Sequence, residues 1–326
     1  MGIREVCAVF DIGGTKILAG FITASGTLIA KRRIETLPER GAEDIVARVA
    51  ALLRELAGHS DISWSAVRAV GCSVPGPLDA GRGVVLFSPN LDWRDVPLVE
   101  LVQRRLDVPV AIEDDARCAA LGEAAFGAAH DAKNALYVTV STGIGAGVIV
   151  DGQIYRGAHG FAGEIGHMTI VAAGPPCACG NFGCLEALSS GTAIATHARQ
   201  VLRHGDETVL RTFVSDPALL TAEQVAQAAQ AGDALAAHIM ETAGHYLGIG
   251  LAAAASVIDP EVIVLGGAVA QPESIFVRAA REMFARRAIT PLGGLIRLVP
   301  AMLGDESGLW GAFALVKSAG FGSAEM

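Results

Sequence analysis

Residues Val6 to Ile34 read V-C-A-V-F-D-I-G-G-T-K-I-L-A-G-F-I-T-A-S-G-T-L-I-A-K-R-R-I. The apolar run Val6 to Phe10 ends in Asp11-Ile12-Gly13-Gly14-Thr15-Lys16, a second run from Ile17 to Ile22 follows at once, and Ala24-Ser25-Gly26 turns into a third, Thr27 to Ile34. Three strands joined by two turns make an antiparallel meander, with no helix after the glycines. That excludes a Walker loop, which needs G-x-x-x-x-G-K-[ST] opening a helix. The turn can still take phosphate, because Gly13 and Gly14 expose backbone N–H groups while Thr15 and Lys16 add a hydroxyl and a cation. Gly-Gly is also common in tight hairpins, so this turn does not carry the assignment alone.

The design recurs at Ala135 to Val140, Ser141-Thr142-Gly143-Ile144-Gly145-Ala146-Gly147 and Val148 to Val150, with Asp151-Gly152 as a hairpin turn into Gln153-Ile154-Tyr155. The G-x-G-x-G run invites a dinucleotide-binding reading, but a strand follows it where that motif needs a helix. Two meanders of one design predict two lobes whose glycine turns face each other across a phosphate.

The chain of 326 residues is long enough for two domains with separate cores. Hydrophobic residues make up 52% and mean hydropathy is +0.44, yet polar residues and glycines interrupt every apolar run short of the ~18 residues of a membrane span. Met1-Gly2-Ile3-Arg4-Glu5 has neither the apolar core nor the cleavage site of a signal peptide, which predicts a reducing cytoplasm. The net charge of -9, spread without a basic block, argues against nucleic acid.

Between the meanders, Ala42 to Leu56 carries one apolar stripe (Ile45, Val46, Val49, Leu52, Leu53, Leu56) and predicts a core helix ending at Gly58. Val67 to Val74 reads as a buried strand delivering Pro75-Gly76-Pro77 and Ser88-Pro89-Asn90-Leu91-Asp92-Trp93 to a cleft mouth, although turn and packing duty would equally explain Asn90 and Trp93. Val108 to Ile112 predicts a strand running into Glu113-Asp114-Asp115-Ala116-Arg117 and a helix. Asp114 or Asp115 is the N-cap, and a carboxylate there is expected to stay ionised, as a base requires. Cap and base fit the residues equally well.

Further on, Ala193 to Leu202, Ala222 to Ala231 and Ala234 to Val257 read as core helices, apolar nearly all round. Val262 to Leu265 predicts a buried strand ending in Gly266-Gly267, followed by a helix from Glu273 to Arg287 and a closing helix from Ser307 to Ser318.

Three of the six cysteines fall within C-A-C-G-N-F-G-C. Cys177, Cys179 and Cys184, with Gly180 and Gly183 folding the chain back, have metal-ligand spacing, and His167 completes a closed Cys₃His shell suited to structural zinc. Three unrelated thiols are the weaker alternative. Glu164 and Glu186 bracket the cluster without being needed by it. Cys7, Cys72 and Cys118 stand in apolar contexts and read as core residues.

D-I-G-G-T-K, S-T-G-I-G-A-G, V-I-V-L-G-G and E-I-G-H followed by C-A-C-G-N-F-G-C-L-E together resemble the ROK family of sugar kinases and sugar-responsive repressors, over nearly the whole chain. The resemblance implies an α/β, two-lobed actin-like ATPase (ribonuclease-H-like) fold with a zinc-bound loop. Residues 1–118 and the C-terminal helix, about 307–326, would form the small lobe, and 119–306 the large lobe. It implies ATP-dependent phosphorylation of a hexose at the 6-hydroxyl, glucose first, with Asp115 as base. Gly76, Asn90, Asp114, Glu164, His167 and Glu186 would contact sugar. Asp11, Gly13, Gly14, Thr15, Lys16, Thr142, Gly143, Gly145, Gly147, Gly266 and Gly267 would serve ATP and Mg²⁺, and His167, Cys177, Cys179 and Cys184 would hold zinc. Sugar and nucleotide are the expected partners, without nucleic acid or membrane, in a homodimer or homotetramer.

Two departures stand out. Where family glucokinases read N-D-A-N, this chain has Asp114-Asp115-Ala116-Arg117; an ionised Asp114 accepts but cannot donate as an amide does, and Arg117 is placed to neutralise it. Ser141 and Ala146 replace glycines in the second turn. A kinase for fructose, mannose or N-acetylmannosamine is the alternative enzyme, and a non-catalytic sugar sensor the alternative of another class. The family's repressors carry a helix-turn-helix before the first phosphate motif, and the ten residues before Asp11 speak against that reading.

Overall fold

The computed structural model describes residues 5–204 and 208–320. Residues 1–4 and 321–326, where the leader reading and the end of the closing segment fall, lie outside them. The chain opens on β1 (Val6–Ile12), β2 (Lys16–Thr23) and β3 (Leu28–Glu35), the expected antiparallel meander. After α1 (Gly41–His59), β4 (Val67–Val74) pairs parallel with β1. A small antiparallel sheet follows, β5 (Leu78–Asp79), β6 (Val84–Ser88) and β7 (Trp93–Val96), then α2 (Leu98–Leu106), β8 (Val110–Asp114) and α3 (Asp115–Phe126). The strand expected at Val108 to Ile112 starts two residues later because Pro109 has no N–H to give; its carbonyl instead accepts from the N–H of Val70 at 2.8 Å.

The first sheet orders β3-β2-β1-β4-β8. Strand periodicity assigns its faces: Val6, Ala8, Phe10 and Ile12 share a core with residues of α1 and α2, whereas Cys7 and Val9 belong to another cluster. Burial pushes the Cys7 thiol up to about 11 and raises Cys72 and Cys118 well above the usual thiol range, as inert core residues require.

The second meander is β9 (Ala135–Val140), β10 (Ile144–Val150) and β11 (Gln153–Tyr155). Strand β10 starts at Ile144 rather than Val148, so Gly145 and Gly147 lie within a strand and the turn shrinks to Ser141–Gly143; buried Ile144, Ala146 and Val148 share one face of it. Helices α4 (Leu185–Ser189), α5 (Gly191–His204), α6 (Leu210–Phe213), α7 (Ala222–Gln230) and α8 (Ala234–Ile258) come next. They are more one-sided than expected: α7 buries only Val225, Ala228 and Ala229, and Val257 near the end of α8 is 85% exposed. Then follow β12 (Val262–Gly266), α9 (Ile275–Arg287), α10 (Leu292–Leu295), β13 (Arg297–Pro300) and α11 (Ser307–Ser318). Helix α9 begins after Glu273, whose positive φ cannot continue a helix, and Ser274 caps it through the N–H of Val277. The second sheet orders β11-β10-β9-β12-β13, with β12 parallel to β9 and β13. Meander plus two parallel strands therefore occurs twice.

Of the described residues, those in 5–131, 147–162 and 302–320 form one unit, and those in 132–146 and 163–301 the other. The border expected after residue 118 would cut α3 in its second turn. Helix α3 instead stays whole with the first unit, because α11 packs along it: Cβ atoms at Gly122 and Gly311 would collide with the carbonyls of Ser307 and Cys118. Leu309, Ala312, Phe313 and Val316 of α11 bury against Cys7, Val9, Leu18, Ile22 and Ala69 of the sheet, each large side chain contributing about 1.5–3 kcal/mol. Buried Glu123 fastens the entry to α11 by accepting N–H from Met302 and Leu303 and the hydroxyl of Ser307. Among the described residues no helix is long and apolar enough to cross a membrane.

Candidate active site

In the first unit the glycine turn between β1 and β2 is held from both ends. Gly13 N–H donates to the carbonyl of Lys16 at 2.9 Å, and Thr36 ties down the carbonyls of Gly13 and Thr15. Asp11 lies beneath it, accepting the Ser73 hydroxyl at 2.5 Å with Gly308 packed against its carboxyl. Burial pushes Asp11 up to about 6, with the charge of Asp115 adding to the rise. Lys16 Nζ, expected at phosphate, is paired with Asp305 at 2.8 Å, and Arg33 meets the same carboxylate at 3.1 Å. Asn90 is exposed in the short turn Pro89–Leu91 and stands beside Gly14. Gly76, at φ 104, lets the chain brush the Phe87 carbonyl, a contact that any side chain would block.

Chain geometry at the start of α3 divides the two aspartates. Asp114 is the N-cap: its Oδ1 accepts from the N–H of Ala116 at 3.1 Å and of Arg117 at 3.2 Å. Asp115 is the first helical residue and exposed, with Oδ1 accepting from Ala116 N–H at 2.8 Å. Asp114 departs from the expected ionised state, since burial first, then the charge of Asp115, push it up to about 8, outweighing Arg117 and the cap bonds. With Oδ1 taken by two donors, Oδ2 carries the proton and can donate as an amide would. Arg117 directs its guanidinium to Glu113 and the carbonyl of Gly160. Gly147 of β10 passes so close to Ala116 and Arg117 that a Cβ would clash, so its lack of a side chain serves strand–helix approach.

A pH dependence of stability follows. The folded chain keeps the Asp114 proton up to about pH 8, whereas an unfolded aspartate releases it near pH ~4. Stability is therefore lost progressively as pH rises between those values. Asp114→Asn retains a capping oxygen and has no proton to lose, so it should melt above the wild type by a margin that widens from pH 5 to pH 8. A margin that stays constant across that range would show Asp114 ionised in the fold.

In the second unit Glu186, in the first turn of α4, grips the other glycine turn: its Oε2 accepts the N–H of Ile144 at 2.8 Å and would clash with a Cβ on Gly143. Ser141, in place of a glycine, accepts the N–H of Ala268 on its hydroxyl at 3.2 Å and so braces the segment after Gly266 and Gly267. Gly267, at φ 92, is pressed on the backbone of Val140. Thr142 is exposed, its carbonyl accepting from the Thr192 hydroxyl at 2.9 Å.

The loop before α4 folds back as its glycines predict. Gly183, at φ 64, touches the carbonyl of Val171, Gly183 N–H donates to Pro175, and Cys177 N–H donates to Asn181. The ligand atoms of His167, Cys177, Cys179 and Cys184 then all lie within 4.8 Å of one another. Cys177 Sγ is 3.7 Å from His167 Nδ1, and Cys179 Sγ is 3.7 Å from Cys184 Sγ. A tetrahedron with bonds of about 2.3 Å has edges of about 3.8 Å, so the four donors fit zinc. His167 turns Nδ1 to the cluster and Nε2 outward, 3.9 Å from Glu164.

Sequence reasoning passed over Glu113, Arg156, Ser73, Glu123 and Asp305. Only the i, i+4 spacing of Glu113 and Arg117 signalled any of them.

The model of the ROK family matches residues 7–319. The glucokinase of Halalkalibacterium halodurans is 36% identical over 309 residues, 94% of this chain and 93% of that protein. A putative xylose repressor of Caldicellulosiruptor sp. is 33% identical over 93% of this chain and 75% of its own length. The crystal structure of a ROK family glucokinase from Streptomyces griseus in complex with glucose and AMPPNP superposes with a TM-score of 0.83 at 33% identity, covering 96% of this chain and all of that one (100%).

Proposed function

The chain belongs to the ROK family, and from that premise we infer that it is an ATP-dependent sugar kinase which phosphorylates glucose, at the 6-hydroxyl. The fold is that of the family's kinases, and the glucose and AMPPNP in the Streptomyces griseus structure support sugar and nucleotide as its substrates. The observation that carries the residue assignment is the division of labour at α3: Asp114 caps the helix, so the exposed Asp115 can serve as base.

In this reading Asp115 accepts the proton of the attacking sugar hydroxyl. The backbone N–H groups of Gly13, Gly14 and Gly143, with Thr15 and Thr142, hold phosphate oxygens. Lys16 joins them by leaving Asp305, and Gly266 and Gly267 take the adenosine side. Asp11 is the carboxylate assigned to Mg²⁺, which when bound neutralises charge on the transferring phosphoryl group. Gly76, Asn90, Asp114, Glu164, His167 and Glu186 are the residues assigned to sugar. His167, Cys177, Cys179 and Cys184 would hold a structural zinc, with His167 Nδ1 turned to the cluster and Nε2 left for a sugar hydroxyl. A cytoplasmic homodimer or homotetramer is the proposed form.

The test is turnover by purified protein with ATP, and with polyphosphate as a second donor, against glucose, fructose, mannose and N-acetylmannosamine. Glucose should have the highest kcat/KM. A markedly higher value for another sugar would overturn the glucose assignment, and sugar binding without turnover would make the chain a sensor.

A further inference from the structure

Glu113 is the penultimate residue of β8, next to Asp114, and its side chain is 0% exposed. It nevertheless carries two arginines. Arg117 Nε–H donates to Oε1 at 2.8 Å and Arg156 Nε–H to Oε2 at 2.6 Å. Oε1 also accepts the N–H of Asp114 at 3.0 Å, and Arg117 Nη1 reaches the Gly160 carbonyl at 2.8 Å. One carboxylate thus gathers the last residues of β8, the first turn of α3 and the chain just beyond β11, all within the first unit.

Stability does not account for such a cluster. A buried ion pair is replaced by apolar side chains of similar volume at little or no net cost, because desolvation consumes most of the Coulombic gain. Well-oriented hydrogen bonds do supply geometry: the planar guanidinium fixes the direction of its partner as well as its distance. The backbone fixed here is the segment 113–117, which carries Asp114 and Asp115 between the two ends of the Glu113–Arg117 contact.

We propose that Glu113, with Arg117 and Arg156, is the positioning group of the base, setting the direction in which the first residue of α3 presents its carboxylate. The proposal rests on the reading of Asp115 as that base. Arg156 is the informative member, since it lies 43 residues away in sequence and its side chain is 40% exposed, whereas that of Arg117 is 3% exposed. Displacement of a reacting group by about 1 Å can cost up to 10²-fold in rate.

The experiment compares Arg156→Met, Arg156→Lys, Glu113→Gln and Asp115→Asn in the full chain, measuring kcat, KM for glucose and for ATP, and melting temperature. Arg156→Met should lower kcat about tenfold or more while KM for ATP stays within about twofold and melting falls by a few degrees at most. Arg156→Lys, which keeps the charge and one donor, should recover most of the loss, and Glu113→Gln should fall at least as far as Arg156→Met. A collapse of Asp115→Asn beside normal turnover in Arg156→Met and Glu113→Gln would overturn the positioning role and leave the base standing. Normal turnover in Asp115→Asn would overturn the base and the proposal together. Parallel losses in kcat, both KM values and melting, without rescue by Lys, would reduce the cluster to a structural brace and also overturn it.

Discussion

Asp115→Asn is expected to lower kcat about 10²-fold or more while KM for glucose changes little. Asn preserves the shape of the side chain and its acceptor oxygen toward the Ala116 N–H, so the first turn of α3 should survive. It cannot accept a proton, and general-base catalysis is typically worth 10²–10⁴-fold, which sets the size of the loss. The hydroxyl is no more acidic in the ground state for having a base nearby, so binding is spared and the effect falls on kcat. Asp114→Asn is the internal control, because Asn keeps a capping oxygen and supplies an N–H donor in place of the Asp114 proton; it should spare kcat, and any change should fall on KM or sugar preference. Normal turnover in the first variant beside collapse of the second would move the base to Asp114.

Removal of the metal should have the opposite kinetic signature. The protein should contain one zinc per chain by elemental analysis, and Cys179→Ala should lose it, since three ligands do not close a structural site. His167 would then lack its fixed orientation, and the fold-back that leads into Glu186 would be left to hydrogen bonds such as Ile170 to Gly183, Leu185 to Met168 and the Asn181 amide to the Thr169 hydroxyl. Partners that orient ligands typically matter by 10–100-fold, so KM for glucose should rise at least about tenfold while kcat at saturating sugar falls less. Zinc lost with unchanged KM would show the metal to be incidental to sugar binding.

Much of this was legible in the sequence, and for identifiable reasons. The strands Val67–Val74 and Ala135–Val140 and the helix Ser307–Ser318 have the bounds their apolar patterns predict, because uninterrupted apolar runs between turn signals leave little choice of register. The short strands β5 to β7 and β13 left no such trace. A four-residue strand such as Arg297–Pro300 is specified by the neighbour it pairs with, here β12. The cluster of His167, Cys177, Cys179 and Cys184 could be read because three of the four fall within one short loop. Glu113 and Glu123 could not, since a buried glutamate looks the same in sequence as a solvated one until the donors around it are known, and those donors lie as far off as Arg156 and Leu303. The ionisation of Asp114 was misread for a related cause: a helix N-terminus favours the charged form, but burial beside a second carboxylate disfavours it more.

The return of α11 to the first sheet bears on the order in which the molecule can be made. A chain leaving the ribosome presents Cys7, Val9, Leu18, Ile22 and Ala69 before the second unit, but the side chains that cover them, Leu309 to Val316, emerge only after residues 163–301. The unit begun first is therefore the last to be finished, and the long intervening segment, zinc loop included, can assemble while that apolar face still lacks its cover. For the duration of translation the nascent protein carries an open sheet surface of the kind that chaperones bind and that aggregates when they are absent.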